Sequence, residues 1–452
     1  MPSSERQGRP ESVVPDGAHR RHAQGSAFPV GGTHRVWIFN HYADAPDRAG
    51  GRHFALGLQL VAHGLDVTIF AAGFDHLTQQ EARATGFRLS KTRSFRGVRF
   101  VWLRTVPYRG NNWRRIANML SYSVMVVLAQ IGRAKPEVII GSSVHPLAAL
   151  AAWFVARLRG ARFAFEIRDL WPQTLVDLGA VSARSPTARA LWALESFLVR
   201  EADAVIGLVP GTRAYLAGRR LPTHHVYYLP NGVDLNETGR ARDSSHPIVR
   251  AMLEEIARRR TAGEFVLIYL GSHGRVNRLD VVLEALQLAN RRSRRPIGLI
   301  LVGDGPEKAR LRRLARRSAI DRVSFKDPVP KYSVPTILAA VDAGVIHTTR
   351  TSVYRYGISF NKLFDYLAAG KPVVFACETA YDPVRRSGAG LVVAPDDPDA
   401  MAAAFVDLSS RSRDELRSMG AAGRSLVERE HDMRRLGKRL ATIIGATLVP
   451  TE

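Results

Sequence analysis

A lysine and an aspartate occupy the same side of a short helical segment in the second half of the chain. The segment lies in YGISFNKLFDYLAAGKPVV, residues 356–374, where Gly370 ends the helix and a strand begins with PVV. On a helical wheel the apolar residues fill one arc, and Lys362, Asp365 and Tyr366 fill the opposite arc. Lys362 and Asp365 therefore form either a surface ion pair, worth ~0.3–0.5 kcal/mol, or part of a ligand site.

Whether the two residues form an ion pair or a ligand site depends on the fold in which this helix lies. From Arg35 onward apolar strands alternate with helices and Gly-rich turns, as in RVWIFNHY, RHFALGLQLVAHG and LDVTIFAA. The second half repeats the scheme with the strands FVLIYLG, IGLILVGDG, AGVIHTT and KPVVFA. This alternation predicts an α/β protein with two Rossmann-like domains that face each other across a cleft. In such a fold the start of the Lys362 helix points into the cleft.

The domain boundary is predicted near the Asn-Gly turn of LPNGVD, residues 229–234. The predicted divisions are a disordered basic tail (1–34), an N-terminal Rossmann-like domain (35–232), a linker (233–262), a C-terminal Rossmann-like domain (263–430), and a final helix and tail (431–452).

The composition is strongly basic. The 452 residues carry a formal charge of +24, mainly from arginine. This charge favours phosphates, anionic lipid or nucleic acid as partners, or else reflects a general arginine preference on solvated faces. Residues 1–34 lack the apolar core of a secretory signal, and the longest apolar run, 147–156, is shorter than the ~20 residues of a membrane span. The single cysteine, Cys377, indicates a reducing compartment.

Two loops at predicted carboxyl ends of strands could bind phosphate. Gly50 and Gly51 precede a helix, whose first amides and positive dipole end attract anions. The second loop is GSHGRVNR, in which Arg275 follows Gly274. Together with the Lys362 segment, these loops predict an anion site in the cleft.

Several motifs together resemble the family-4 glycosyltransferases, which have the two-domain glycosyltransferase-B fold. They are AGG with its following helix, EIRDLWP, LPNGVD, LVGDGPE and SFNKLFDYLAAGKPVV, and the resemblance covers residues 35–445. RDLWP and NKLFDYLAAGKPVV, with VPYRGNNWRRIANMLSY, resemble the branch that builds bacterial surface polysaccharides and includes N-acetyl-fucosamine transferases. The resemblance implies transfer of a sugar from a nucleotide diphosphate sugar, expected to be UDP-linked, with retention of anomeric configuration.

The resemblance also implies roles for individual residues. Gly50, Gly51 and Arg275 would hold the donor diphosphate, and Asp365 would bind the ribose hydroxyls. The first glutamate of the family's Glu-x7-Glu motif falls on Gly357, and the usual lysine near Arg275 falls on Asn277. We expect Lys362 to supply the missing positive charge. The remaining expected donor contacts are His273, Gly303, Asp304, Gly305, Val329, Ser359 and Asn361.

The expected catalytic set is Arg275, Lys362, His145 and Asp169. Many relatives place a histidine at the end of the strand that reads FAFEIRD here, where this chain has Arg168 and Asp169. His145 follows a neighbouring strand and could face the sugar or the acceptor. We expect no metal and no cofactor besides the donor substrate. The DDPD at residues 396–399 resembles a metal-binding Asp-x-Asp, but it also fits a helix cap.

The segment YRGNNWRRIANMLSYSVMVVLAQIGRAK mixes aromatic and apolar residues with arginines, as at a lipid headgroup boundary. We expect Trp113, Arg114 and Arg115 to contact the acceptor or the membrane, and Tyr122 and Val126 to contribute to this surface. Part of the helix must instead pack on the first domain. The acceptor would be a polyprenyl-diphosphate-linked sugar, met by a cytoplasmic protein at the inner face of the cell membrane.

Four other functions are compatible with parts of the sequence. A nucleotide-sugar epimerase on the same fold would need cleft carboxylates and histidines but no lipid-facing surface, and a glycosyltransferase could also act on a small-molecule acceptor. Nucleic-acid binding is suggested by charge alone, without a recognised motif. A dehydrogenase is disfavoured because no Gly-x-Gly-x-x-Gly follows the first strand.

Overall fold

The computed structural model describes residues 34–44, 51–76, 80–81, 88–110, 112–238 and 246–449. The predicted tail, apart from His34, and the predicted phosphate contact Gly50 lie outside these residues. The described chain builds two large sheets, mostly of parallel strands and flanked by helices. The predicted α/β class with two Rossmann-like halves is confirmed.

The first half forms an eight-stranded sheet in the order β10-β9-β8-β7-β1-β2-β6-β5, in which β5 alone runs antiparallel to its neighbour, and a small antiparallel pair, β3 and β4. Its elements are β1 (Arg35–Phe39), α1 (Arg52–Ala62), β2 (Asp66–Ala72), β3 (Phe74–Asp75), β4 (Gln80–Glu81), β5 (Ser90–Phe95), β6 (Val98–Leu103), α2 (Trp113–Ala129), β7 (Val138–Ser142), α3 (Pro146–Arg159), β8 (Arg162–Ile167), α4 (Gln173–Asp177), α5 (Pro186–Glu201), β9 (Ala204–Gly207), α6 (Thr212–Gly218), β10 (Val226–Tyr228) and α7 (Leu235–Thr238).

The second half forms a six-stranded parallel sheet in the order β13-β12-β11-β14-β15-β16. Its elements are α8 (Pro247–Thr261), β11 (Phe265–Leu270), α9 (Leu279–Arg292), β12 (Ile297–Val302), α10 (Lys308–Arg317), β13 (Val323–Lys326), α11 (Val334–Ala340), β14 (Ala343–His347), α12 (Asn361–Ala368), β15 (Val373–Ala376), α13 (Pro383–Ser387), β16 (Gly390–Val393), α14 (Pro398–Ser410), α15 (Arg413–Leu426) and α16 (Met433–Leu448).

The central strands are covered on both faces. All six residues of β11 are buried, as expected for a parallel strand with helices on each side. Both sheets reverse their winding at the first strand: β1 lies between β2 and β7, and β11 lies between β12 and β14. Ligands of doubly wound sheets bind at such reversal points, at the carboxyl ends of the strands. The loops after β1 and β11 are therefore the expected centre of a site.

Two segments connect the halves differently from the prediction. The predicted linker, 233–262, is too long, because α8 buries Val249, Met252 and Ile256 in the core of the second half. Conversely, α16 returns to the first half and packs on α1, with Leu436 and Leu440 in that core. Within the described residues, no helix is both long enough and apolar enough to cross a membrane.

Candidate active site in the cleft between the two halves

The two halves touch along a short 3-10 helix, Ser352–Tyr356, and the turn that follows it. The amide and side-chain amide of Asn231 donate to Ser359 Oγ (2.8 Å) and to the Ser359 carbonyl (2.6 Å). Asp177 accepts from Ser352 Oγ at 2.6 Å. The predicted donor contact Ser359 therefore also joins the halves beside the cleft.

Gly357 is where the resemblance placed the missing glutamate. Its φ of +109° is in the region that favours glycine. A Cβ atom here would lie 2.5 Å from Pro210 Cδ in the first half, and the neighbouring Tyr356 carbonyl accepts from the Gly211 amide at 2.7 Å. In this arrangement of the halves, position 357 has no room for a glutamate side chain.

Lys362, in the first turn of α12, reaches across to the loop after β11. Its Nζ donates to Tyr269 Oη and to Asn277 Oδ1, each at 3.0 Å, and lies 4.3 Å from the centre of the Tyr269 ring. Asn277 is the position where the resemblance led us to expect a lysine. Burial lowers the pKa of Lys362 to about 7, so its charge is easily changed by a ligand. The Lys362 ammonium thus lies beside position 277, where the family's usual lysine is absent.

Asp365 has a different partner. Its Oδ2 accepts from Lys331 Nζ, in the turn after β13. Lys362 and Asp365 are thus not a surface ion pair with each other. The wheel assignment of Tyr366 to the polar face is wrong: its ring is fully buried and its hydroxyl oxygen accepts from the Leu270 amide at 2.7 Å. The helical period predicts which side chains share a face of the helix, but it does not predict which parts of the protein they contact.

The loop after β11 holds the second predicted cation. The Arg275 side chain is 90% exposed, with Nε 3.7 Å from Glu307 Oε1. Arg278, by contrast, pairs with Asp280 and Asp396, at 3.1 Å each. Arg275 is therefore placed to move toward a ligand, whereas Arg278 is held by the protein.

The loop after β12 packs backbone against backbone on the loop after β11. A Cβ atom at Gly303 (φ +141°) would lie 1.9 Å from the Gly271 carbonyl oxygen, and one at Gly305 would meet the backbone of His273. Asp304, between them, is exposed and accepts from the Gly305 amide at 2.9 Å. These glycines permit the close approach that shapes the loop.

His273 lies beneath this loop. Its ring is fully buried, 6.1 Å from the Tyr269 ring and 6.3 Å from the Phe325 ring. Neither ring nitrogen has a hydrogen-bond partner in the described chain, and burial lowers the pKa of His273 to about 4. The remaining expected donor contacts are a half-buried Val329 after β13 and an exposed Asn361 at the start of α12.

The first half contributes a buried ionic network at the start of α1. No side chain caps this helix, whose N-cap is Gly51. Glu166, on β8, accepts from Arg52 Nε (3.0 Å), His53 Nε2 (2.7 Å) and Ser142 Oγ (2.7 Å). Burial alone would raise the pKa of Glu166, but His53 and Arg52 hold it well below its usual range. The network fixes the end of β8 against the helix that approaches the cleft.

Arg52 also ties this network to the connection between the halves. It donates from Nη2 to the Leu229 carbonyl at 2.8 Å and from Nη1 to the Pro230 carbonyl. The sequence offered no signal for these contacts, because an Arg-His pair at the start of an apolar helix is typical of an exposed first turn. The partners come together only in the folded sheet, which brings Glu166 at the end of β8 within reach of the first side chains of α1.

Arg168 and Asp169 follow β8 directly. The charge of Arg168 acts on Arg52 and Glu166, which places it near the start of α1. Asp169 is exposed, and it acts electrostatically on Tyr354 of the second half. Surrounding protein raises the pKa of Asp169, while Arg168 opposes the rise. Asp169 thus follows the end of β8 directly, and its catalytic role stays a prediction.

His145 has a structural position. Its Nδ1 accepts from the Ala148 amide at 3.2 Å and caps α3, so its Nε2 donates to His41 Nδ1 at 2.7 Å. Its ring is almost fully buried, and burial together with Arg115 lowers the pKa of His145 to about 3. Both ring nitrogens are used within the protein, and a catalytic role for His145 stays a prediction.

The α2 helix has two distinct sides. Trp113 and Arg114 are exposed, and the Arg114 guanidinium lies 5.7 Å from the Trp113 ring. Arg115 turns the other way, where its charge acts on His41, Tyr42, His76, Tyr108 and His145. Tyr122 and Val126 are wrong as surface residues, because both are completely buried. The exposed apolar face is instead formed by Ile116, Leu120, Val124, Leu128 and Ile131.

The acidic stretch 396–399 behaves as a cap. Asp397 accepts from the Ala400 amide at 2.9 Å, which confirms the predicted start of α14. In the described part of the chain, no three His, Cys, Asp or Glu side chains come together in a way that could hold a metal ion.

Comparison with known proteins identifies the family. Residues 52–232 match the glycosyl transferase 4-like domain, and residues 264–411 match glycosyl transferases group 1. The chain is 22% identical over 330 residues to a probable glycosyltransferase, WbjE, of Pseudomonas aeruginosa, covering 72% of this chain and 79% of that protein. It is 24% identical over 309 residues to WcaI of Escherichia coli K12, a putative colanic acid biosynthesis glycosyl transferase, covering 66% and 73%.

A solved structure of HepE from Anabaena, in complex with UDP and glucose, superimposes with a TM-score of 0.63 at 14% identity, covering 90% of this chain and 98% of that one. At this identity the similarity concerns the fold. The two family matches together span well over half of the chain, on the two sheets and the cleft described above. The chain belongs to the group 1 and 4-like glycosyltransferases and has their two-domain glycosyltransferase-B fold.

Proposed function

We propose that this glycosyltransferase moves a sugar from a UDP-linked donor to a polyprenyl-diphosphate-linked acceptor in surface polysaccharide synthesis, with retention of configuration and without a metal. The main support for a nucleotide diphosphate donor is the Lys362 ammonium, which lies 3.0 Å from Asn277 Oδ1 beyond the carboxyl end of β11. A UDP donor is favoured because HepE was solved with UDP and glucose, and the polysaccharide role because WcaI is described as a colanic acid enzyme.

The cleft groups suit a nucleotide diphosphate sugar. Asp365 would bind the ribose hydroxyls once its carboxylate exchanges Lys331 for them, and Val329 and the Gly303 to Gly305 loop would line the nucleoside. Arg275 and Lys362 would hold the diphosphate from the second half, opposite the amides at the start of α1. Ser359 and Asn361 lie at the start of the Lys362 helix, beside this position.

In the reaction, the bond between the sugar C1 and the phosphate oxygen breaks, and C1 bonds to the acceptor oxygen on the same face. Negative charge grows on the outer phosphate as the bond breaks, and the departing phosphate oxygen, on the same face as the acceptor, takes the proton of the acceptor hydroxyl. Fixed cations in a cleft that excludes water stabilise this charge more than they would in bulk solvent. Asp169, which follows β8 in the acceptor half, would orient the acceptor hydroxyl.

The proposal is tested by incubating the purified enzyme with labelled UDP-sugars, with and without a polyprenyl-diphosphate sugar and with excess EDTA. We expect labelled lipid product of retained anomeric configuration, formed at an unchanged rate in EDTA, because Lys362, Arg275 and the α1 amides supply the charge. Interconversion of the donor without transfer would instead identify an epimerase. Loss of transfer in EDTA that magnesium or manganese restores would refute the metal-independent mechanism.

We also propose that the exposed face of α2 binds the inner face of the cell membrane. Ile116, Leu120, Val124 and Leu128 recur every four residues, and each side chain is 44–58% exposed. Phe154 and Leu158 of the neighbouring α3 are also exposed, as are Arg114 in α2 and Arg157 in α3. An apolar helix face bordered by arginines, on a chain of charge +24, suits an anionic lipid surface.

Val124→Glu should weaken binding to vesicles that contain phosphatidylglycerol. The change removes an apolar side chain that would enter the lipid and adds a charge that anionic lipid repels. The expected loss of binding free energy is about 2 kcal/mol, or roughly thirtyfold in affinity. Sedimentation with vesicles at low salt measures it. The control is Ile248→Glu, the same kind of change on the exposed side of α8, which should bind like the wild type. Equal vesicle binding by both variants would exclude this face of α2 as the membrane contact.

A further inference from the structure

Five side chains meet beneath the first turn of α2. His41 and Tyr42 follow β1, His76 lies beyond β2, Tyr108 lies beyond β6, and Arg115 comes from α2 itself. We call these residues the Arg115 cluster. The three strands are neighbours in the sheet, so the cluster lies along one edge, at the same end as the loops that form the cleft.

The rings of the cluster are held in place by stacking. His41 lies between Tyr42 and Tyr122, with ring centres 4.4 and 4.3 Å away, and Tyr42 also packs against His76 at 4.5 Å with the two rings tilted. The Tyr122 hydroxyl donates to the Phe70 carbonyl at 2.8 Å. This packing fixes the orientation of the polar atoms before any ligand arrives.

The histidines of the cluster favour their neutral forms. Because His145 Nε2 donates to His41 Nδ1, the proton of His41 is on Nε2. Burial lowers the pKa of His41 and of His76, and the nearby Arg115 charge adds to both effects. A neutral histidine still offers an N–H donor, so the cluster combines a guanidinium with uncharged donors.

Two hydroxyl groups complete the set of donors. The Tyr108 hydroxyl has no hydrogen-bond partner in the described chain, although Tyr108 is only 4% exposed, and the Tyr42 hydroxyl interacts with the Arg115 side chain. Both phenols lie within electrostatic reach of each other and of Arg115. Burying a hydroxyl without a partner is costly, and such a group in a native protein points to a ligand. Hydroxyl donors beside a guanidinium suit an anion with several oxygens, such as a diphosphate.

The cluster and the exposed apolar face lie on different sides of the first turn of α2. Arg115 turns toward the cluster, and the next residue, Ile116, is exposed on the apolar face. A lipid tail on the Ile116 side would therefore place its headgroup at the level of Arg115. Tail and headgroup would then be bound by opposite sides of one helical turn.

We propose that the Arg115 cluster binds the diphosphate of a lipid-linked acceptor, whose isoprenoid chain follows the apolar face of α2. The choice of a lipid diphosphate rests on the proposed function, since a free diphosphate has the same oxygens. Bound here, the acceptor would present its sugar to the cleft from the first half, opposite the donor.

The test measures binding of farnesyl diphosphate and of inorganic diphosphate to the full chain by calorimetry, without any sugar donor. Arg115→Gln should weaken both about ten- to hundredfold, and Tyr42→Phe should weaken both less, because it removes one hydroxyl and keeps the stacked ring. Arg104→Gln, at an exposed arginine after β6, is the matched control and should bind as the wild type does. Farnesyl diphosphate should bind more tightly than inorganic diphosphate. Shifts of the His41 and His76 imidazole NMR signals on titration locate the site.

Unchanged affinity in both Arg115→Gln and Tyr42→Phe, or unshifted signals from His41 and His76, would overturn the proposal. Equal affinity for farnesyl and inorganic diphosphate would overturn its lipid-linked part and leave a site for a free diphosphate. Because no donor is present, these results are independent of whether sugar transfer to a lipid acceptor is observed. Failure of the proposed function would appear in the transfer assay alone.

Discussion

Lys362→Met should lower the kcat of sugar transfer by about 10²- to 10³-fold, the usual cost of removing one fixed group that stabilises transition-state charge. The methionine keeps the length and packing of the side chain but not the ammonium that contacts Tyr269 and Asn277. The control is Lys371→Met. Lys371 is also half-buried with a pKa lowered by burial, but it donates to the Ala339 and Val341 carbonyls away from the cleft. Initial rates at saturating donor measure the effect.

The same residue predicts a dependence of donor affinity on pH. In the free enzyme the pKa of Lys362 is about 7, so the ammonium is largely charged below that pH and progressively neutral above it. A bound diphosphate raises this pKa, so binding takes up a proton above pH 7 and donor affinity falls as the pH rises through that range. The affinity of Lys362→Met should not show this fall. Normal turnover in Lys362→Met, or an identical pH profile in both proteins, would show that Lys362 does not contact the donor.

Glu166→Gln should lower the free energy of unfolding by about 3–5 kcal/mol, the usual cost of breaking a buried ion pair. The change leaves Arg52 buried beside an uncharged group, while its contacts to the Leu229 and Pro230 carbonyls remain. Urea unfolding at pH 7 measures the effect. The control is Glu201→Gln, which removes a more exposed carboxylate from Arg157 and Trp153 and should cost no more than about 1 kcal/mol.

The pH dependence of stability gives a second readout. The pKa of Glu166 is well below the 4.5 of an unperturbed glutamate, so its contribution is complete above that value and is lost as the pH falls through the folded pKa. The wild type should therefore lose more stability on acidification below pH 4.5 than Glu166→Gln does. Equal unfolding free energies for Glu166→Gln and Glu201→Gln would mean that the network does not stabilise the fold.

Much of the architecture follows from the order of residue types along the chain. Strands such as β11 read as continuous apolar runs because parallel strands are covered on both faces, and this local pattern is enough to predict two doubly wound halves. The glycosyltransferase motifs could be read in the same way, because each is a short contiguous stretch. Lys362 could be placed at a cleft because the start of a helix after a parallel strand always lies at that edge of the sheet.

The partners of the site residues depended on tertiary structure. The helical period put Lys362 and Asp365 on one face, yet Lys362 contacts Tyr269 and Asn277 while Asp365 contacts Lys331. The opposite directions of Arg114 and Arg115, and the burial of Tyr122, follow from how α2 packs on the sheet and on α3. Residues far apart in sequence meet through loops whose positions depend on strand order and helix packing. A short-range pattern carries no information about them.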